Sequence, residues 1–174
     1  MNPEIHGRRS LRLAGYNYTQ AGAYFITICS HDHKCVFGEI RDGSIVVNDW
    51  GNIVEHEWLN TANVRSNIEL DHFIVMPNHF HAILVVEDLS CSSVLEHDSA
   101  FHSPSQSIGA VVRGFKSAVT RQINLLCNSR VIQVWQRNYF DHVIRNEDEL
   151  NRIREYIELN PLKWDLDQYN PSAV

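Results

Sequence analysis

The segment Pro77-Asn78-His79-Phe80-His81 places two imidazoles one residue apart, in a stretch whose neighbours favour extended backbone. Side chains alternate along a strand, so His79 and His81 project from one face and Phe80 from the other. Neutral imidazoles ligate divalent transition metals, and two on one face make a partial site that needs a third ligand from elsewhere. The runs Phe73-Ile74-Val75-Met76 and Ala82-Ile83-Leu84-Val85-Val86 on either side are apolar at successive positions. Polar side chains in such a setting are costly unless they find partners, which favours a ligand role or a full set of hydrogen bonds for this pair. His31, His33, His56, His72, His97, His102 and His142 lack a comparable context and receive no role.

A second chemical group lies far downstream. Asn146 can cap a helix running to about Asn160, with Glu149 three residues later in capping-box spacing. Leu150, Ile153 and Ile157 form its apolar stripe. Tyr156 and Asn160, four residues apart, stack on one flank of that stripe, with Glu149 two turns earlier. A phenol at the edge of a buried face can reach into a cleft and attack a phosphorus. Asn160 offers an amide oxygen one turn away, suited to a hard divalent ion or to steadying the tyrosine. Tyr139 is a rival nucleophile, but its place beside Phe140 in a short strand suits the core better. Spacing alone leaves ordinary packing roles open for each of these residues.

The elements that would carry these groups follow from pattern. Tyr24–Cys29 reads as a strand rich in aromatic and β-branched residues. Cys35–Ile40 and Ile45–Val47, joined by Asp42-Gly43, read as a hairpin. Asp49 is placed as the cap of a helix to about Asn60. Ile68–Met76 and Phe80–Val86 are two strands split by Pro77-Asn78. Ile108–Leu126 is a long amphipathic helix with Val111, Val112, Phe115, Val119, Ile123 and Leu126 on its buried stripe. Tyr139–Ile144 is a short strand, and Pro161 stops the last helix. The order predicts an α+β sandwich, an antiparallel sheet with helices on its faces, as one domain spanning 1–174. Asp88–Gln106 reads as a serine-rich flexible loop and about 165–174 as a loose tail.

Composition sets bounds. The chain has 174 residues, 44% of them hydrophobic, enough for one domain with a real core. No apolar run reaches membrane-spanning length and the first ten residues lack the apolar stretch of a secretion signal. Cys29, Cys35, Cys91 and Cys127 have no CxxC spacing, and read as reduced thiols of a cytoplasmic protein. The net charge of −6 weighs mildly against a nucleic-acid partner. Basic residues are nevertheless grouped: Arg8, Arg9 and Arg12 near the start, Arg113, Lys116 and Arg121 on one helix, and Arg137, Arg145, Arg152 and Arg154 near the candidate site. A basic groove on an acidic protein is compatible with this pattern, as is a simply solvated surface.

Three ordered blocks carry a resemblance over nearly the whole chain. They are Arg9-Ser10-Leu11-Arg12-Leu13 with Gly22-Ala23-Tyr24-Phe25-Ile26-Thr27, then Met76-Pro77-Asn78-His79-Phe80-His81, then Trp135 to Arg145 with Tyr156-Ile157-Glu158-Leu159-Asn160-Pro161. In these the chain resembles the single-tyrosine HUH transposases, in particular the REP-associated tyrosine transposases. The resemblance implies a ferredoxin-like sandwich with the HxH on a central strand. It implies His79 and His81 as ligands of a divalent metal, Mg²⁺ or Mn²⁺, and Tyr156 as the nucleophile of a 5′-phosphotyrosine intermediate. Related enzymes place a Gln four residues after the tyrosine as third ligand; Asn160 stands there and is shorter. The implied partner is single-stranded or hairpin DNA, held by Arg8, Arg9, Arg12, Arg113, Lys116, Arg121 and Arg137, with the protein acting as a monomer or a homodimer. Two other readings fit the residues themselves: a hydrolytic nuclease using Zn²⁺ and water, and a non-catalytic nucleic-acid-binding module.

Overall fold

The computed structural model describes residues 21–87 and 107–172. The expected loop at 88–106 and the arginines Arg8, Arg9 and Arg12 lie outside the described residues. The elements are β1 (Gly22–Cys29), a 3-10 turn (His31–His33), β2 (Gly38–Arg41), β3 (Ser44–Val47), α1 (Asp49–Val64), β4 (Ile68–Val75), β5 (His79–Val86), α2 (Ile108–Leu126), β6 (Phe140–Ile144), α3 (Glu147–Leu159) and a 3-10 helix (Pro161–Leu166). Among the described residues no helix is long and apolar enough to cross a membrane.

Four strands form one antiparallel sheet in the order β4-β5-β1-β6, and β2-β3 form a separate hairpin. Apart from the hairpin, the chain order is β-α-β-β-α-β with β5 and β1 central, the ferredoxin-like arrangement of a split β-α-β unit. The expected α+β sandwich is therefore the observed fold. The Asp42-Gly43 turn joins the hairpin with φ of 49° and 72°, positive at both central residues as a type I′ turn requires.

Strand alternation divides the sheet into two faces. Phe80, Ala82, Leu84 and Val86 of β5 and Tyr24, Ile26 and Ile28 of β1 enter the main core. There they meet Trp58 of α1 and Val111, Phe115 and Val119 of α2. Trp58 sits edge-on to both Phe80 and Phe115, at 5.0 and 5.2 Å between ring centres. The opposite face carries Ala23, Phe25, Ile74, Ile83 and Ile144 and is covered by Leu150, Ile153 and Ile157 of α3. His79 and His81 share the parity of Ile83, so they face the α3 side.

Several expectations give way to local structure. Asn48, not Asp49, caps α1, its side chain accepting from the N–H groups of Trp50 and Gly51. That helix runs on to Val64, because no Gly or Pro interrupts residues 60–64. Leu126 is 55% exposed and leaves the α2 stripe, since the helix overruns the sheet it packs on. Within the stretch expected as a loose tail, the Tyr169 carbonyl accepts from Asn78 Nδ2 and the Tyr169 ring lies against His79. Pro161–Leu166 form a 3-10 helix whose Leu162 sits against the Gly43 turn, so close that a Cβ at Gly43 would meet Leu162 Cδ2 at 2.6 Å.

A clamp fixes α3 on β4. The β4–β5 register shifts between Leu70 and Phe73, which turns Asp71 and His72 toward α3. Arg154 grips Asp71 with two bonds, Nε to Oδ1 at 3.1 Å and Nη2 to Oδ2 at 2.5 Å. His72 Nδ1 lies 2.6 Å from Asp71 Oδ1, and its Nε2 lies 2.9 Å from Glu158 Oε1. The Arg154 guanidinium holds the Asp71 carboxyl well below the usual carboxylate range, against an opposing push from burial. Arg154 and Glu158 flank Tyr156 by two residues on either side. Asp71→Ala should cost about 1–3 kcal/mol in denaturant unfolding, the range for a lost charged partner. It should also broaden the amide resonances of α3 more than those of α2; a stability within error of wild type would show that the clamp is idle.

Candidate metal and nucleophile site

Four residues singled out from sequence meet on the α3 face of β5: His79, His81, Tyr156 and Asn160. The rings of His79 and His81 lie 4.5 Å apart, and both side chains are buried. Cross-strand register sets Thr27 opposite His81, and Thr27 Oγ1 lies 2.8 Å from His81 Nδ1. Phe25 stacks on the same imidazole at 5.2 Å and meets the Tyr156 ring edge-on at 6.1 Å. The Tyr156 hydroxyl lies 3.3 Å from His81 Nε2. Asn160, at the α3 terminus, is buried and directs its Nδ2 toward Asp167 Oδ2 at 3.4 Å.

Two buried atoms here have no hydrogen-bond partner: His79 Nε2 and Asn160 Oδ1. The Asn160 amide is nonetheless near enough to His79 to influence its protonation. Uncompensated burial of such atoms is costly, which fits a place reserved for a ligand. Among the described residues no cluster of three His, Cys, Asp or Glu could hold a metal; the acceptors gathered here are two imidazoles and one amide oxygen.

Burial sets the electrostatics. It pushes the His79 pKa down to about 4, with the Asp167 carboxylate opposing. Burial, then the neighbouring His79, drives His81 well below its ordinary value. Both imidazoles are thus neutral near pH 7, the form that ligates metals. Burial, then Asp167, raises the Tyr156 phenol above its ordinary value, so it rests protonated.

Several neighbours escaped the sequence reading. Asn78 bonds His79, Thr27 bonds His81, and Tyr169 lies 4.8 Å from the His79 ring. Thr27 had one visible signal, a hydroxyl inside the apolar run Tyr24–Cys29. Tyr169 and Asp167 had none, since they follow the last helix without periodicity.

The basic residues do not converge on this site. Arg113 and Arg121 are exposed on α2, across the sheet from Tyr156, and Arg137 is exposed before β6. The Lys116 ammonium donates to the carbonyls of Gln136, Arg137 and Asn138, pinning that segment. Glu149 accepts from His142 Nε2 and from the Arg145 N–H, each at 2.8 Å, and Tyr139 packs against the main core.

No family model matches the chain. An uncharacterized protein of Haemophilus influenzae is 41% identical over 173 residues, spanning 96% of this chain and 95% of that protein. The two belong to one family. A solved structure of a REP-associated tyrosine transposase bound to a REP hairpin matches with a TM-score of 0.57 and 19% identity, over 87% of this chain and 74% of that one. That likeness is one of fold.

The buried histidines make the metal-free fold sensitive to acid. An unfolded histidine titrates near 6.5, roughly, whereas folded His79 titrates at about 4. Between these values the unfolded state binds more protons, so stability must fall as pH is lowered through that window. Thermal melts of metal-free protein from pH 7 to 4.5 should show a declining midpoint. His79→Gln should flatten the decline, and an unchanged slope in that variant would assign the acid sensitivity elsewhere.

Proposed function

We propose that this chain is a metal-dependent single-stranded DNA endonuclease and strand transferase of the transposase type, acting through Tyr156. The observation that carries the reading is the Tyr156 hydroxyl, 3.3 Å from His81 Nε2 in a buried HxH pair beside which His79 Nε2 and Asn160 Oδ1 are acceptors without a partner. The fold likeness to a tyrosine transposase supports it, as does the order of the sequence blocks.

The residues fit a divalent cation. His79 Nε2 and Asn160 Oδ1 are buried acceptors without donors, and His81 Nε2 meets only a weakly held phenol. His79, His81 and Asn160 would hold the ion, and Mg²⁺ or Mn²⁺ suits a set that includes an amide oxygen. When bound, the cation would polarise the oxygens of the scissile phosphate and offset the charge that develops on them.

The chain's own groups supply the rest. The clamp of Arg154 and Glu158 on β4 holds Tyr156 over the histidine face. Phe25 supports the phenol ring from below, and 38% exposure leaves the residue open to a substrate strand. Tyr156 Oη attacks phosphorus and loses its proton as the O–P bond forms. The P–O3′ bond breaks, and the departing oxygen gains a proton to become a free 3′-hydroxyl. The 5′-phosphotyrosine link conserves the phosphodiester, so a second 3′-hydroxyl can reverse the step on another strand without a nucleotide cofactor. Single-stranded DNA, including hairpin-bearing strands, is the proposed partner. The exposed Arg113, Arg121 and Arg137 would contact backbone away from the reaction centre.

End-labelled single-stranded hairpin oligonucleotides incubated with Mn²⁺ should give a protein-sized labelled band on denaturing gels. The band should vanish with EDTA and in Tyr156→Phe, and fall at least about 10²-fold in His81→Ala, the scale on which a 1 Å misplacement acts. Cleaved DNA without a covalent band, undiminished in Tyr156→Phe, would replace the tyrosine by water and make the protein a hydrolase. Hairpin binding with no cleavage under any metal would make it a binding module.

A further inference from the structure

The residue between Pro77 and His79 makes three side-chain contacts that together settle which nitrogen of His79 carries a proton. One atom of the Asn78 carboxamide lies 2.9 Å from the His33 carbonyl oxygen and 2.6 Å from the Tyr169 carbonyl oxygen. Both partners can only accept, so this atom is the NH₂ group. The amide oxygen therefore faces His79 Nδ1, at 2.9 Å. An amide oxygen also only accepts, so Nδ1 must be the protonated nitrogen. A neutral imidazole has one N–H, which leaves a lone pair on Nε2. That lone pair is buried beside Asn160, whose Oδ1 is likewise an acceptor without a donor. Asp167 draws the Asn160 NH₂ group to itself. Two acceptors are thus held near one another with no protein donor between them, an arrangement suited to a cation.

We propose that Asn78 is the positioning residue of the metal site. Its carboxamide selects the Nδ1–H tautomer of His79 and turns the Nε2 lone pair toward a divalent cation shared with Asn160. The inference rests on the metal-site reading above and adds to it a named cause for ligand orientation. It also ties the site to the C-terminal segment, because the Tyr169 carbonyl is one of the two groups that set the Asn78 amide. Thr27 does less for His81, since a hydroxyl can donate or accept and so does not dictate a tautomer. Groups that orient a metal-bound histidine typically change metal affinity by about 10–100-fold when removed.

Two measurements on the full chain, both without DNA, test this. Long-range ¹⁵N–¹H correlation spectra of the metal-free wild type should show His79 protonated at Nδ1 and bare at Nε2. Calorimetric titration with Mn²⁺ should then show Asn78→Leu binding about 10–100-fold more weakly than wild type, with His79 in that variant shifting to the Nε2–H form that can bond Asn160. A wild-type His79 protonated at Nε2 overturns the proposal even if Asn78→Leu fails to fold. So does an Asn78→Leu protein that binds Mn²⁺ as tightly as wild type. A wild type that takes up no Mn²⁺ would instead remove the metal-site reading itself, and this inference with it. Failure of DNA cleavage with Mn²⁺ binding intact would leave the inference standing and sink the nuclease reading.

Discussion

Everything at this site depends on the two-residue alternation of β5 within a sheet that is covered on both faces. Because β5 is central, neither face of it meets bulk water. Phe80, Ala82 and Leu84 fill the space under α1 and α2, and this fixes the register against β1 and β4. A slip by one residue would put His79 and His81 into the aromatic cluster around Trp58 and expel Phe80 from it. The hydrophobic core thus enforces the direction of the histidines, though it never touches the face they occupy.

Burying two imidazoles has a cost that the surroundings offset only in part. Thr27 and Asn78 satisfy the two Nδ1 atoms, while the Nε2 atoms are left to a phenol in one case and to nothing in the other. Complete satisfaction would have been simple on this face. Exchanging the Asn160 amide ends would give His79 Nε2 a donor at once, but Asp167 holds that amide the other way. A fold that leaves polar atoms bare in a protected place gives up some stability for a function, as is common where ligands bind. The same burial keeps both rings neutral, so the features that weaken the metal-free fold are those the proposed ligand pair would need.

Much of this was legible in the sequence, because the site is built on regular elements. The HxH spacing gave a shared face, and the Leu150, Ile153 and Ile157 stripe gave the side on which Tyr156 and Asn160 stand. The Asn146 cap lies where expected, with its side chain accepting from Glu149 N–H. Glu149 itself reaches the Arg145 N–H rather than that of Asn146, so the reciprocal half of the capping box is displaced by one residue. What could not be read was tertiary. Thr27 meets His81 only through strand pairing, and Asp71 meets Arg154 only because a bulge turns it toward α3. The residues after Pro161 carry no periodicity, and their place follows from individual contacts with Gly43, Asn78 and His79. Grouping Lys116 with neighbouring arginines was reasonable from helix spacing, but its ammonium is occupied by three backbone carbonyls.

Two tyrosines border the histidine pair, and their surroundings separate their roles. Tyr169 leans on His79 and His33, at 4.8 and 5.7 Å between ring centres, and its hydroxyl pairs with the Cys29 thiol. Burial first, then Cys29, Tyr156 and Asp167, push its pKa up to about 12. With its hydroxyl bonded to the buried Cys29 thiol, on a segment folded over the histidines, Tyr169 forms a wall of the site. Tyr156 sits on the rim instead, anchored by its helix and by Phe25, with its hydroxyl 3.3 Å from His81 Nε2 and within reach of the Asn160 amide. Attack on phosphorus requires a hydroxyl that a substrate strand can approach and that gives up little when it leaves its resting partner. Tyr156 meets both conditions and Tyr169 meets neither. The phenol is neutral at rest, so on the proposed reading a bound cation would have to favour its ionisation as it attacks.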